Sequence, residues 1–145
     1  MMVRVLNRAF DPWLELSHYQ ETHLGQAGKY GATACFVGTM RDFNEDLAVQ
    51  GMTLEHYPGM TERQLERIAD EARQRWALLD LLIIHRHGEL VPNDPIVLVA
   101  VWSTHRAAAF EACRYLIEEL KSRAPFWKRE KLPDGTRWVE RNTFR

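Results

Sequence analysis

Residues 103–130 read STHRAAAFEACRYLIEELKSRAPFWKRE. Ala109, Ala112, Cys113, Leu116, Ile117 and Leu120 fall at i, i+3, i+4, i+7, i+8 and i+11, the spacing that gathers side chains on one buried helix face. Ser103 or Thr104 can cap the start. Pro125 sets the stop, because the residue before a proline is pushed out of helical geometry. His105-Arg106 stand at one end of this stiff rod, and Lys121 and Lys128 at or beyond the other. Basic groups at both ends suit the positioning of an anionic ligand.

The segment that feeds this helix, residues 96–102 (IVLVAVW), is the most hydrophobic strand candidate and reads as central to a sheet. Residues 3–6 suggest a short first strand. Asp11-Pro12 reads as an N-cap with proline in the first turn of a short helix ending near Gly25. Residues 32–37 (ATACFV) read as a buried strand, 49–57 as an alternating strand, and 81–90 as a segment that begins as a strand. Thr61 as N-cap with Gln64 makes a capping box, with Met60 stapled onto Leu65. Leu65, Ile68, Ala69, Ala72 and Trp76 form that helix's buried stripe. Residues 91–95 and the Pro133-Asp134-Gly135 stretch are turns, and 137–140 a last short strand. Strands and helices alternate irregularly, with no Rossmann or P-loop glycine pattern. The expected class is α+β, a single domain over residues 1–145 with a mixed or mainly antiparallel sheet and helices packed on it.

The 145 residues suffice for one domain with a real core, and 46% hydrophobic with 27% charged residues is ordinary globular composition. A formal charge of −1 speaks against general nucleic-acid binding. No apolar run approaches a membrane span and no secretory signal is evident. The two cysteines, Cys35 and Cys113, sit in apolar patterns and read as buried reduced thiols, so a cytoplasmic location is expected.

The groups able to act on a ligand are Arg41, His105, Arg106, Lys121, Lys128 and Arg129. Gly38-Thr39-Met40-Arg41-Asp42 offers close backbone approach, a hydroxyl donor and a forked cation, as an anion loop requires. A plain polar turn fits the same residues. Lys128 lies beside Phe126 and Trp127, where desolvation can lower an amine toward its neutral, proton-transferring form. His85 and His87 would share one face of an extended strand. No further ligand joins them at the right spacing, so they read as ordinary histidines and no metal is expected. His105 and Lys121 are sixteen residues apart, roughly 24 Å along an unbroken helix. A small ligand cannot touch both within one unbroken helix, so either the helix breaks or a site that uses both is built from two protomers; the expectation is the second, a homodimer with a shared site.

At these residues the chain resembles the large, catalytic subunit of molybdopterin synthase, the MoaE family. FVGTMRD at 36–42, LEHYPGMTE at 54–62, DEARQRW at 70–76, IIHRHGEL at 83–90, the run from His105 through APFWKRE to 130, and WVE at 138–140 occur in family order. The resemblance covers most of residues 30–140. It implies an α/β-hammerhead-type fold with an added sheet region. It also implies conversion of cyclic pyranopterin monophosphate to molybdopterin by transfer of two sulfurs. The donor is the C-terminal thiocarboxylate of a small ubiquitin-like partner subunit. Two large subunits would form the homodimer core of a heterotetramer, with no cofactor needed. By motif, Phe36, Thr39, Met40, Arg41, His105, Arg106, Lys121, Lys128, Arg129 and Glu130 match substrate-binding positions, and Lys121 and Lys128 the catalytic lysines. The turn at 91–95 carries asparagine where relatives often have glycine. The segment after Glu140 is short, which leaves a contribution from Arg141 in doubt.

Two other functions fit parts of the same pattern. A non-catalytic dimeric module could clamp the C-terminal carboxylate of a ubiquitin-like protein with the same basic residues. A phosphoester hydrolase would need a metal cluster or a nucleophile paired with a base, and neither is evident.

Overall fold

The most apolar segment sits at the middle of the main sheet, buried on both faces. In the computed structural model, which describes residues 1–25, 28–44 and 47–139, strand β8 (Pro95–Ser103) pairs antiparallel with β6 (Leu78–Arg86) on one side and β2 (Ala32–Thr39) on the other. Strand β1 (Met2–Leu6) adds to β6 in parallel, so the order is β1-β6-β8-β2 and the sheet is mixed, as expected. Alternation along the central strands divides two cores. Leu81, Ile83, Val97, Val99 and Val101 face helices α2 (Met60–Arg75) and α3 (Arg106–Arg123). Leu82, Ile84, Leu98, Ala100 and Trp102 face the other way, with Phe10 and with Tyr19 of helix α1 (Pro12–His23). Each fully buried Leu or Ile here contributes about 1.5–3 kcal/mol.

A second sheet stands beside the first. It has the order β10-β9-β5-β7, built from β5 (Gly51–His56), β7 (Gly88–Leu90), β9 (Phe126–Leu132) and β10 (Gly135–Val139). Met40, Val49, Met52, Leu54 and Leu90 form its small core. A two-stranded ribbon, β3 (Phe43–Asn44) with β4 (Leu47–Ala48), follows β2. The arrangement is α+β, with helices on both faces of one sheet. Glu45 and Asp46 of the expected polar loop, the strand end at Glu140 and the tail 141–145 lie outside the described residues. Among the described residues no helix is long and apolar enough to cross a membrane.

Helix α3 and its stop match the sequence pattern: Ala109, Ala112, Cys113, Leu116 and Leu120 are buried, and Ala124 before Pro125 leaves helical geometry at ψ 132. Asp11 caps α1 through Oδ1, which accepts from the Trp13 and Leu14 N–H groups at 2.9 and 3.3 Å. Asn93 takes φ 76, the left-handed region where asparagine is the usual substitute for glycine.

Five expectations need correction. Helix α3 is capped at His105 with no side-chain cap bond, not at Ser103 or Thr104. Helix α2 is capped at Gly59, not Thr61, and Glu62 Oε2 accepts from the Gly59 N–H at 2.8 Å. Thr61 is instead fully buried inside the first turn, and Met60 is exposed rather than stapled. His87 is not in the strand with His85, because β6 ends at Arg86 and Gly88 takes φ 98, which turns the chain. Cys113 is buried but Cys35 is exposed, since β2 is an edge strand and α1 packs over β8. Residues 126–132, assigned no structure from sequence, form β9, an inner strand of the second sheet.

Candidate active site

Two adjoining clefts open where the C-terminal end of α3 meets the second sheet, and Ile96, Lys121, Lys128 and Val139 line both. The larger, about 250 Å³, also takes in His85, Leu120, Ala124 and Phe126. The smaller, about 100 Å³, is walled by Thr39, Met40, Arg41, Asn44 and Glu130.

Each wall has a local cause. Along β9, Phe126, Lys128, Glu130 and Leu132 point inward while Trp127, Arg129 and Lys131 are exposed. Lys128 lies in register between Leu54 of β5 and Val139 of β10, so its stem rests between apolar neighbours. Glu130 lies between Met52 and Arg137. Lys121 comes from the last turn of α3, before the Pro125 break returns the chain along β9. On the opposite wall the β2–β8 register shifts between Gly38 and Thr39, where Gly38 pairs Val97 and Thr39 pairs Pro95. Ile96 is the extra residue of this bulge. Gly38 is required there, because a Cβ would sit 2.9 Å from Val97 Cγ1. Backbone bonds of 2.9 Å from the Met40 N–H to Asp94 O and from the Asn93 N–H to Met40 O hold the loop that carries Arg41.

The electrostatics are set by burial. Desolvation and then the Lys128 charge push the Lys121 ammonium down to about 8. Desolvation also lowers Lys128. Glu130 works against that shift and Arg41 with it. Glu130 is 5% exposed and is held by Asn44 Nδ2, 3.2 Å from both carboxylate oxygens, and by Arg137 Nε at 2.9 Å. Arg41 stacks its guanidinium 5.0 Å from the Phe43 ring. Two partly desolvated amines beside an arginine and a buried carboxylate can bind an anion, stabilise developing negative charge and exchange a proton.

The structure thus gathers Thr39, Met40, Arg41, Lys121, Lys128 and Glu130. It does not bring the others there. His105 and Arg106 are exposed at the far end of the unbroken α3, so His105 is roughly 24 Å from Lys121. Phe36 lies on β2 outside both clefts, 39% exposed. Arg129 projects to the other face of β9, with its guanidinium 5.6 Å from the Trp138 ring. Asn44, Ile96 and Arg137 were not singled out from sequence, and His85 was read only as an ordinary histidine. For Arg137 a signal existed, since a hairpin across Pro133-Asp134 places it opposite Glu130. Among the described residues no group of three or more His, Cys, Asp or Glu side chains could hold a metal ion.

An α+β scaffold with paired, desolvated lysines in a polar cleft has the makings of a site for an anionic ligand. Comparison with known proteins makes the class specific. The family described as MoaE protein matches residues 12–123. A Pseudomonas aeruginosa protein, the molybdopterin synthase catalytic subunit, is 53% identical over 140 residues, spanning 97% of this chain and 91% of that one. A Burkholderia ambifaria molybdopterin biosynthesis MoaE protein superposes with a TM-score of 0.80 at 46% identity, covering 99% of this chain and 92% of the other. Molybdopterin synthase from Staphylococcus aureus gives a TM-score of 0.82 at 31% identity, covering 93% and 94%. The chain belongs to the MoaE protein family.

Proposed function

We propose that the chain, acting as a single domain over residues 1–145, is the catalytic subunit of molybdopterin synthase, a sulfurtransferase of molybdenum cofactor biosynthesis. It converts cyclic pyranopterin monophosphate to molybdopterin with two sulfurs from the C-terminal thiocarboxylate of a small ubiquitin-like subunit. It works in the cytoplasm as the homodimer core of a heterotetramer. The observation that carries this reading is the convergence of Lys121 and Lys128, from two different elements, on one pair of clefts. Family membership supplies the substrate and the sulfur donor.

In this reading Lys121, lowered to about 8, takes up or returns a proton during attack on, or release from, the thioacyl group. Lys128, with Glu130 as its counter-charge, stabilises negative charge as it develops. Arg41 and Thr39 bind the substrate's anionic part. His105 and Arg106 reach a site only from the partner protomer, because α3 holds them away from their own lysines. Arg129 and Phe36 lie outside the clefts and bind substrate only where the partner protomer or the small subunit completes the site.

The test is a single turnover with cyclic pyranopterin monophosphate and thiocarboxylated small subunit. Wild type should form the dithiolene, and Lys121→Ala should be slower by about 10²–10⁴-fold, the usual worth of a proton-transfer group. A wild-type protein that binds the small subunit stably and forms no product would replace this reading with the non-catalytic binding module.

A further inference from the structure

Phe43 lines the smaller cleft beside Thr39, Arg41 and Asn44, and the chemistry above gives it no part. It is 50% exposed, and among the described residues it joins none of the three apolar clusters. Burial of this ring therefore contributes little to the fold. Its place is nonetheless fixed from both sides. Before it, the Met40 N–H donates to Asp94 O at 2.9 Å and the Val49 N–H to Asp42 O at 2.8 Å. After it, Asn44 Nδ2 lies 3.2 Å from both Glu130 carboxylate oxygens, and Arg137 Nη2 donates to Asn44 O at 3.1 Å. Phe43 itself pairs with Ala48 across the ribbon. A half-exposed ring on an anchored backbone is ready to receive a ligand at little cost in ordering.

The ring also holds the Arg41 guanidinium, 5.0 Å from its centroid. Attraction to a ring face places a guanidinium without using its N–H donors, so an oxyanion can still accept from them. Phe43 and Arg41 thus present a flat apolar surface and a forked cation side by side. A ligand that fits both carries a planar conjugated ring and an anionic group on one framework.

We propose that Phe43 is a specificity-determining residue of the site, its ring stacking on the pterin ring of the substrate while Arg41 meets the phosphate. The two clefts share Ile96, Lys121, Lys128 and Val139, so a pterin seated on Phe43 faces the wall that carries both lysines. Stacking requires an aromatic face, which an aliphatic side chain of similar bulk does not offer. The inference rests on the sulfur-transfer reading, which supplies the pterin as substrate.

The full chain tests the contact with cyclic pyranopterin monophosphate as the probe. In protein carrying ring-¹³C phenylalanine, the Phe43 signals, assigned by their loss in Phe43→Leu, should shift when the pterin is added. By calorimetric titration, Phe43→Leu should raise the dissociation constant about tenfold, and Phe43→Trp should hold it within about twofold. Inorganic phosphate meets only the cations, so its binding, followed by ³¹P spectra, should be equal in wild type and Phe43→Leu. In single turnover, Phe43→Leu should need about tenfold more pterin for half-saturation and reach the wild-type rate once saturated. Unshifted Phe43 signals, equal dissociation constants in wild type and Phe43→Leu, or a loss that falls equally on inorganic phosphate would each overturn the proposal. Shifted signals and the tenfold loss, in a protein that forms no dithiolene, would keep the contact and reject the sulfur-transfer reading. Dithiolene formed by Phe43→Leu at the wild-type half-saturation would keep that reading and reject the contact.

Discussion

Arg137 and Glu130 face each other across the β9–β10 hairpin, and the guanidinium Nε donates to Glu130 Oε1 at 2.9 Å. Arg137 Nη2 also reaches the Asn44 carbonyl at 3.1 Å, and Asn44 Nδ2 returns to the Glu130 carboxylate. One buried carboxylate thereby joins the ribbon, the hairpin and the cleft floor. Glu130→Ala should destabilise the fold by about 2 kcal/mol in urea denaturation, since it removes the buried carboxylate that accepts from both Arg137 and Asn44. Glu130→Gln keeps the shape and should cost less.

The Lys128 charge bears on the protonation of Lys121. Lys128→Gln removes the like charge, which favours the ammonium form, so Lys121 should titrate above its wild-type value of about 8 and toward 10.5. Titration of the protein after reductive ¹³C-methylation of its lysines reads this directly. An unchanged value would mean that burial alone sets the shift.

The turnover rate should rise with pH and level off above about 8, as the Lys121 amine becomes neutral. Lys121→Arg keeps the positive charge and cannot lose it. That variant should be as slow as Lys121→Ala, with the rising limb gone. A Lys121→Arg enzyme near wild-type rate would assign the residue to charge stabilisation instead.

The two ends of α3 predict complementation between subunits. If one site takes His105-Arg106 from one protomer and Lys121-Lys128 from the other, each mixed dimer of His105→Ala with Lys121→Ala holds one intact site. Random re-pairing should then restore about one quarter of wild-type activity from two nearly inactive parents. No recovery on mixing would place the whole site within one chain.

His85 also links folding to pH. Its folded value, about 3, lies below its ordinary 6.5, so between these limits the unfolded chain binds a proton that the native chain does not. Stability from this group is complete above pH 6.5 and falls as the pH drops toward 3, by roughly 1 kcal/mol per unit. Urea midpoints measured down this range should show a shallower slope in His85→Gln.

What could be read in advance divides along a physical line. Helix α3, the α2 stripe and central β8 were legible because their apolar residues follow the period of the structure they form. Strand β9 was not, because its inward positions carry Lys128 and Glu130. A face that lines a polar cleft does not show the apolar alternation that marks a strand against a core. The same holds for His85. Its polarity suggested a strand end, and only the second sheet, which brings Phe126 onto its ring, shows that it is interior. The cleft itself came from matching residues by motif, since it joins six separate stretches of the chain. The α2 cap was misplaced by two residues because Thr61, a residue type favoured as a cap, was taken up by a tertiary contact.

That contact reaches the lysines. Thr61 Oγ1 accepts from the Tyr57 N–H at 3.1 Å and donates to the carbonyl of Pro125 at 3.3 Å, at the bend between Lys121 and Lys128. The bend that sets one lysine against the other is therefore clamped from outside like a caliper by a residue 64 positions upstream. A fragment spanning residues 106–132 would carry both lysines and lack their separation, and evolution can retune that separation at α2 without altering either amine.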